Sequence, residues 1–315
     1  MRPLTHVEFS PVVLQCCGAF YPERIFMSEI KPSITGLSPS SFGEFTACNR
    51  KWFLRKVAKV PIDPDASEDY AAFNFGKAFH KALEDTRHNL ENYTHGQAIA
   101  VCAEFGVIDP EDVAMIFAML GKYKQLHAID NLKVVACETI INTPEFYGIV
   151  DAVMEDKDGV LWIVDIKTAA TWQTSNITTA SSHPQLNLYA KHFDVLAYGI
   201  GRKDAAFGGI RLRTTTKSKL VKKASESMPE YILRMMNGIK SNDLAIRKED
   251  LNVSKISAQH LAAFAKTSTA QACDAEKFAP NYGNCMSYFR PCNYYSQCHG
   301  RTFSDTPSGV LFTEA

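Results

Sequence analysis

Phe146-Tyr-Gly-Ile-Val-Asp-Ala-Val-Met-Glu155, Asp156-Lys-Asp-Gly-Val160 and Leu161-Trp-Ile-Val-Asp-Ile-Lys-Thr168 form the stretch around which this chain is organised. Two runs rich in β-branched and aromatic residues flank Lys157-Asp158-Gly159, the pattern of a β-hairpin. A three-residue loop with Gly159 at positive φ pairs Asp156 with Val160. Counting back from that pair sets Asp151 directly opposite Asp165. Side chains alternate along a strand, so Asp165 and Lys167 share a face and Asp151 joins them. A two-residue Asp158-Gly159 turn would shift the register by one and send Asp151 to the other face. Two carboxylates and a lysine on one side of a hairpin are costly in a core unless a cation sits between the acids.

Such a triad suits phosphodiester hydrolysis. Hard oxygen ligands hold Mg²⁺ or Mn²⁺, which polarises a phosphoryl oxygen and activates a water. A lysine orients or deprotonates that water and offsets charge growing on phosphorus. The spacing also fits a solvated hairpin face with one Asp–Lys pair, since D-x-K is a common tripeptide. The neighbouring signals decide between them.

At 315 residues the chain can bury a large core, and 46% apolar with 22% charged residues is ordinary globular composition. No apolar run reaches the length of a membrane span and no signal-peptide pattern opens the chain. A soluble, cytoplasmic protein with no membrane partner is expected. Nine cysteines without a secretion signal argue for metal or cluster ligation rather than a disulfide scaffold. The formal net charge is zero, so any nucleic-acid affinity must come from a local patch. There is no G-x-x-x-x-G-K-[ST] phosphate loop, so helicase or ATPase work would need a partner.

Residues 1–36, with Pro3, Pro11, Pro22 and Pro32, are expected to be a poorly ordered tail, and Met27 is an alternative start to Met1. Ser38-Pro39 begins a helix carrying Phe45, Cys48, Trp52 and Phe53. A second helix opens near Gly76, a helical hairpin spans about 94–130, and Val134–Ile141 is a strand. Ser182-His183-Pro184 starts another helix, 206–214 is a strand, and about 226–272 reads as helical. This order predicts a small mixed sheet sandwiched by helices, an α/β class fold. The domain would span 37–300, with helical insertions near 94–130 and 226–272 and a C-terminal tail over 301–315.

His80, four residues after Gly76, is either a structural histidine or a metal ligand. Glu138 could add an oxygen or be a surface strand residue. Gln185 and Tyr189 face the same way one helical turn apart, to orient the lysine or simply to pack. Cys285, Cys292 and Cys298 lie within fourteen residues, and a fourth thiolate, Cys48 first and Cys273 second, would complete a metal or cluster site. Zinc held by the same cysteines, or with His299, is the rival, and unligated buried thiols are the plain alternative. A basic run containing Arg211, Arg213, Lys217 and Lys219 is a candidate phosphate track or a solvated face. Tyr288, Phe289, Tyr294 and Tyr295 offer either base-stacking platforms or core packing around the cysteines.

Taken in order, Gly76 to His80, Gly148 to Asp151, Asp165 to Lys167 and Gln185 to Tyr189 resemble the G-x-x-x-H, G-x-x-D, D-x-K and Q-x-x-x-Y motifs of the RecB-like branch of the PD-(D/E)XK nuclease superfamily. One upstream and three C-terminal cysteines resemble its iron–sulfur subgroup, which includes CRISPR-associated RecB-like, AddB-type and phage exonucleases. The resemblance implies a restriction-endonuclease-like core with a C-terminal cysteine cluster. It makes His80, Asp151, Asp165, the Ile166 carbonyl and Glu138 metal ligands for Mg²⁺ or Mn²⁺, with Lys167 catalytic and Gln185 and Tyr189 supporting. Cys48, Cys285, Cys292 and Cys298 would hold a [4Fe–4S] cluster that stabilises the fold, with Zn²⁺ the alternative. The gap between the first two C-terminal cysteines is six residues, where better-known members have two. The expected activity is DNA exonuclease action on ends or single strands in recombination, repair or phage replication, in a bacterial or phage setting. A helicase, recombinase or single-strand-binding protein would be its partner. The rival reading is a catalytically idle DNA-binding or assembly subunit of a helicase or integrase complex.

Overall fold

The computed structural model describes residues 36–62, 70–129, 131–170, 179–270, 277–287 and 290–299. Apart from Gly36, the two expected tails lie outside these residues, as do Cys273, Tyr288 and Phe289. The elements run α1 (Pro39–Ala47), α2 (Asn49–Lys56), α3 (Tyr70–Asp85), α4 (His95–Glu104), α5 (Pro110–Ile129), β1 (Lys133–Asn142), β2 (Tyr147–Glu155) and β3 (Leu161–Ala169). They continue as α6 (Pro184–Lys191), α7 (Phe193–Gly199), β4 (Phe207–Thr216), α8 (Met228–Gly238), β5 (Ser241–Arg247) and α9 (Val253–Ser268). The chain then forms β6 (Met286–Ser287), β7 (Arg290–Pro291) and α10 (Tyr295–His299).

Strands β1 to β5 form one mixed sheet in sequence order. All neighbours are antiparallel except β3 and β4, which are parallel and joined by the crossover through α6 and α7. β3 is sandwiched, so its sequence reads as an almost unbroken apolar run. Leu161 and Ile163 point into a core with Phe42, Trp52, Leu186, Leu196 and Ile256, from α1, α2, α6, α7 and α9. Val164 and Ile166 point the other way, into a core with Phe79, Ile116, Leu120 and Met235, from α3, α5 and α8. Helices therefore cover both faces of the sheet, the α/β arrangement the sequence predicts.

The hairpin closes as its turn chemistry demands. Gly159 has φ of 78°, the Asp156 N–H donates to Val160 O at 3.0 Å, and paired residues run from Glu155–Leu161 to Ala152–Val164. α1 starts at a Ser38 cap whose hydroxyl accepts the Ser41 N–H, with Pro39 in the first turn. The expected first helix is two helices, because Cys48 is extended at φ −158° and caps α2 with its sulfur. α3 begins at Tyr70, six residues before Gly76, which makes that glycine mid-helical. The helical reading of 226–272 is also corrected, since β5 interrupts it. Ser241–Arg247 has weak strand propensity, and pairing with β4 overrides it.

Candidate active site

The β2–β3 ladder ends at Ala152–Val164, one step short of Asp151 and Asp165. There the Asp151 carboxylate takes the N–H that a strand partner would have used, with Ile166 N donating to Oδ2 at 2.6 Å. The alternation of β2 also breaks at this point. Val150 sits in the same core as Val153, although Ala152 and Met154 face the opposite one. The break frees Asp151 from regular sheet geometry and brings it toward α3, where His80 Nδ1 lies 3.6 Å from Asp151 Oδ1.

Glu138, on β1, completes that corner. Ligand atoms of His80, Glu138 and Asp151 all lie within 4.8 Å of one another. Glu138 has φ of 44°, a left-handed conformation inside a strand that costs a non-glycine residue on the order of 1–3 kcal/mol. Burial, then the Asp151 charge, pushes its carboxyl up to about 7. Burial works against charge on Asp151 too, but the hydrogen bond and charge of His80, the Lys167 charge and the Ile166 N–H outweigh it and hold Asp151 below the usual range. His80 is raised in return, because Asp151 overcomes the effect of burial.

Asp165 is 1% exposed, and burial pushes its carboxyl up against the pull of Lys167. Lys167 Nζ lies 3.0 Å from each oxygen but donates with hydrogen-bond geometry only to Oδ1, so Oδ2 is buried without a donor. Lys167 also donates to Gln185 Oε1 at 3.2 Å. The Gln185 amide donates to Tyr189 Oη at 3.1 Å, and Tyr189 donates to the Ile149 carbonyl. This relay fixes which end of the Gln185 amide meets the lysine. It depends on Gly148, where a Cβ would come within 2.8 Å of both the Phe146 and Tyr189 rings. Burial pushes the Lys167 pKa down, but Asp165 and Asp151 outweigh it and hold the ammonium charged.

His80, Glu138 and Asp151 line a cleft of about 560 Å³ together with Phe73, Gly76, Lys77, Phe105 and Thr168. A smaller cavity of about 290 Å³, lined by Asp165, Lys167, His183 and Thr214, lies beside it. An acidic cleft with a cationic lysine at its side is arranged to receive a metal-bridged anion.

A family model described as the PD-(D/E)XK nuclease superfamily matches residues 36–299. The chain belongs to that superfamily. A solved structure described as the crystal structure of SSO0001 aligns over 70% of this chain and 84% of its own, at 12% identity and a TM-score of 0.26, too low to assign fold or role. No curated protein matches the chain. PD-(D/E)XK membership makes this a nuclease of the metal-dependent class, with DNA as substrate. The donor set fits that assignment: one imidazole and two carboxylates, with the orphaned Asp165 Oδ2 buried nearby, suit Mg²⁺ or Mn²⁺. Asp165 itself stands outside the three-residue group and binds Lys167, while the Ile166 contact seen is its N–H on Asp151.

Within this PD-(D/E)XK chain the basic run divides. Arg213 is fully buried, donating to Asp243 Oδ2 at 3.1 Å and to Tyr123 Oη at 3.2 Å. Arg211 donates to the other oxygen of the same carboxylate at 2.9 Å. Strand alternation points both arginines into the α5 side, so the expected DNA contact is corrected for Arg213, and Arg211 is held in the same ion pair. Lys217 and Lys219 follow β4 at the cleft end of the sheet. The Lys217 N–H donates to Ala169 O, its ammonium lies 3.5 Å from the Phe75 ring centroid, and Lys219 is exposed. Tyr294 and Tyr295 are buried, which takes them from the stacking platforms to the core.

Cys48 Sγ accepts N–H groups from Lys51 at 3.5 Å and Asn281 at 3.3 Å. Asn281 and Asn284 side chains bond Ala47 O, and Phe278 stacks on Phe53. These contacts bring the N-terminal helices onto the C-terminal segment. The Cys285 thiol is pushed up to about 11 by burial, then by Cys292, Cys298 and Cys48. The sequence reading missed Phe73, Lys77 and Phe105. Phe73 precedes the helix start expected near Gly76, so its place on the His80 face, at i, i+3, i+4 and i+7 spacing, was hidden.

Proposed function

We propose that this protein is a RecB-like, metal-dependent DNA exonuclease that works on ends or single strands in recombination, repair or phage replication. The observation that carries the reading is Lys167, held cationic between Asp165 and Gln185 beside the His80–Glu138–Asp151 group. A divalent cation held by those three residues supplies Lewis-acid polarisation of the scissile phosphate and a more acidic water. Asp165 and Gln185 hold the Lys167 Nζ in one place, and its N–H donors offset charge growing on a non-bridging phosphoryl oxygen. Tyr189 acts through Gln185 as a positioning residue.

Cys48, Cys285, Cys292 and Cys298 would hold a [4Fe–4S] cluster as a structural staple. The N–H groups donated to Cys48 Sγ, and the placement of Cys48, Cys292 and Cys298 close enough to raise the Cys285 thiol, support this, since such donors suit thiolate ligands. Iron and sulfide analysis separates the cluster from zinc. For the activity, end-labelled single- and double-stranded DNA is incubated with Mn²⁺, Mg²⁺ or EDTA. Metal-dependent stepwise shortening supports the exonuclease, and internal cutting of a closed circle contradicts it. DNA binding without cleavage would favour the idle assembly subunit.

A further inference from the structure

We propose that Phe73, with Phe105 in the same cleft, is a base-stacking wall that makes this site select unpaired DNA, an inference that rests on the nuclease reading above. Phe73 is 59% exposed and lines the cleft that holds His80, Glu138 and Asp151. An aromatic ring left this open beside a polar site lacks a partner within the protein core. Helical geometry places Phe73 about 10 Å along α3 from His80 on the same face, within the span of a short oligonucleotide bound at the site. Between them lies Gly76, mid-helix, where glycine weakens the helix. Packing does not require glycine there, since an added Cβ would meet only the Thr168 hydroxyl at 3.5 Å. What the missing side chain does is keep the floor of the cleft open between ring and ligands. Lys77 sets its ammonium over one face of the Phe73 ring, 4.2 Å from the centroid, which leaves the opposite face for a stacked base.

Charge also favours stacking. The chain has zero net charge, the cleft carries Glu84, Glu138 and Asp151, and Lys81 is spent on Glu84 and Asp85. Phosphate attraction alone gives little affinity here, and stacking supplies it without charge. Duplex bases have both faces covered by neighbours, so only an unpaired base can offer a face to Phe73.

The test measures kcat/KM on a single strand, on the blunt duplex of the same sequence, and on the single strand with abasic positions near the cut. Wild type, Phe73→Ala, Phe73→Trp and Lys167→Ala are compared. Phe73→Ala is expected to lower the single-strand value about 5- to 150-fold, mainly through KM, which is the ~1–3 kcal/mol of one stacked base. Duplex cleavage should fall much less than single-strand cleavage and the unfolding midpoint should not change, Phe73→Trp should restore the preference, and abasic strands should show no further loss in Phe73→Ala. Equal losses on both substrates, no loss on the single strand, or a wild-type preference for duplex would overturn the stacking wall while Lys167→Ala still abolished cleavage. If wild type cut neither substrate, the nuclease reading and this inference would fall together.

Discussion

Lys167 Nζ lies equidistant, at 3.0 Å, from the two carboxylate oxygens of Asp165, yet only Oδ1 receives a well-formed hydrogen bond. Oδ2 remains buried without a donor, in a residue 1% exposed. Such an arrangement is costly as a resting core and fits a site awaiting a cation. It fixes what changes of pH, metal and side chain should do.

Divalent metal should stabilise the protein more at pH 8 than at pH 5.5. Glu138 titrates near 7 and Asp165 is also raised, so folded protein binds more protons than unfolded chain across this window. Their stability contribution is complete below the unfolded carboxylate values and is lost as pH rises through the folded ones. Raised His80 acts in the same direction, and lowered Asp151 titrates below the window. A cation recovers what is lost by neutralising the bare carboxylates. Unfolding midpoints with and without Mn²⁺ check this; a larger shift at acid pH would contradict it.

Gly148→Ala should destabilise the protein by about 1–3 kcal/mol, because the new methyl meets the Phe146 and Tyr189 rings at 2.8 Å. Activity should fall too, since Tyr189 holds Gln185 against Lys167. Denaturant midpoints and cleavage rates report the two effects separately.

Asp243→Ala should cost about 3–5 kcal/mol, because it removes the buried carboxylate that Arg211 and Arg213 share. Breaking the Arg202–Glu155 pair, whose arginine side chain is 41% exposed, should cost no more than ~1 kcal/mol. Equal effects from Asp243→Ala and Glu155→Ala would show that the buried network contributes nothing special.

Cys48→Ser should remove the visible colour of iron-loaded protein and lower its unfolding midpoint, because Cys48 also caps α2. Iron content per chain is the readout. Unchanged iron in the variant would remove Cys48 from the ligand set.

The hairpin was legible because its turn is local: Gly159 and the Asp156–Val160 pair set the register as far as Ala152–Val164, beyond which the break in β2 at Asp151 was not visible. The Gln185–Tyr189 pair followed from a one-turn helical spacing, and the contact with Lys167 was one of two readings the spacing allowed. What stayed hidden depended on distant partners. Arg213 looked like a surface cation because Asp243 sits on an edge strand whose sequence reads as helix. Phe73 was hidden because the sequence places the helix opening near Gly76, whereas α3 already runs from Tyr70. The break at Cys48 follows from contacts with Asn281, more than two hundred residues away.

The most direct measurement is single-turnover DNA cleavage by Lys167→Met alongside its Mn²⁺ affinity by calorimetry. The account predicts a loss of about 10²–10³-fold in rate, with Mn²⁺ binding retained through His80, Glu138 and Asp151. Cleavage at the wild-type rate with metal bound would contradict it.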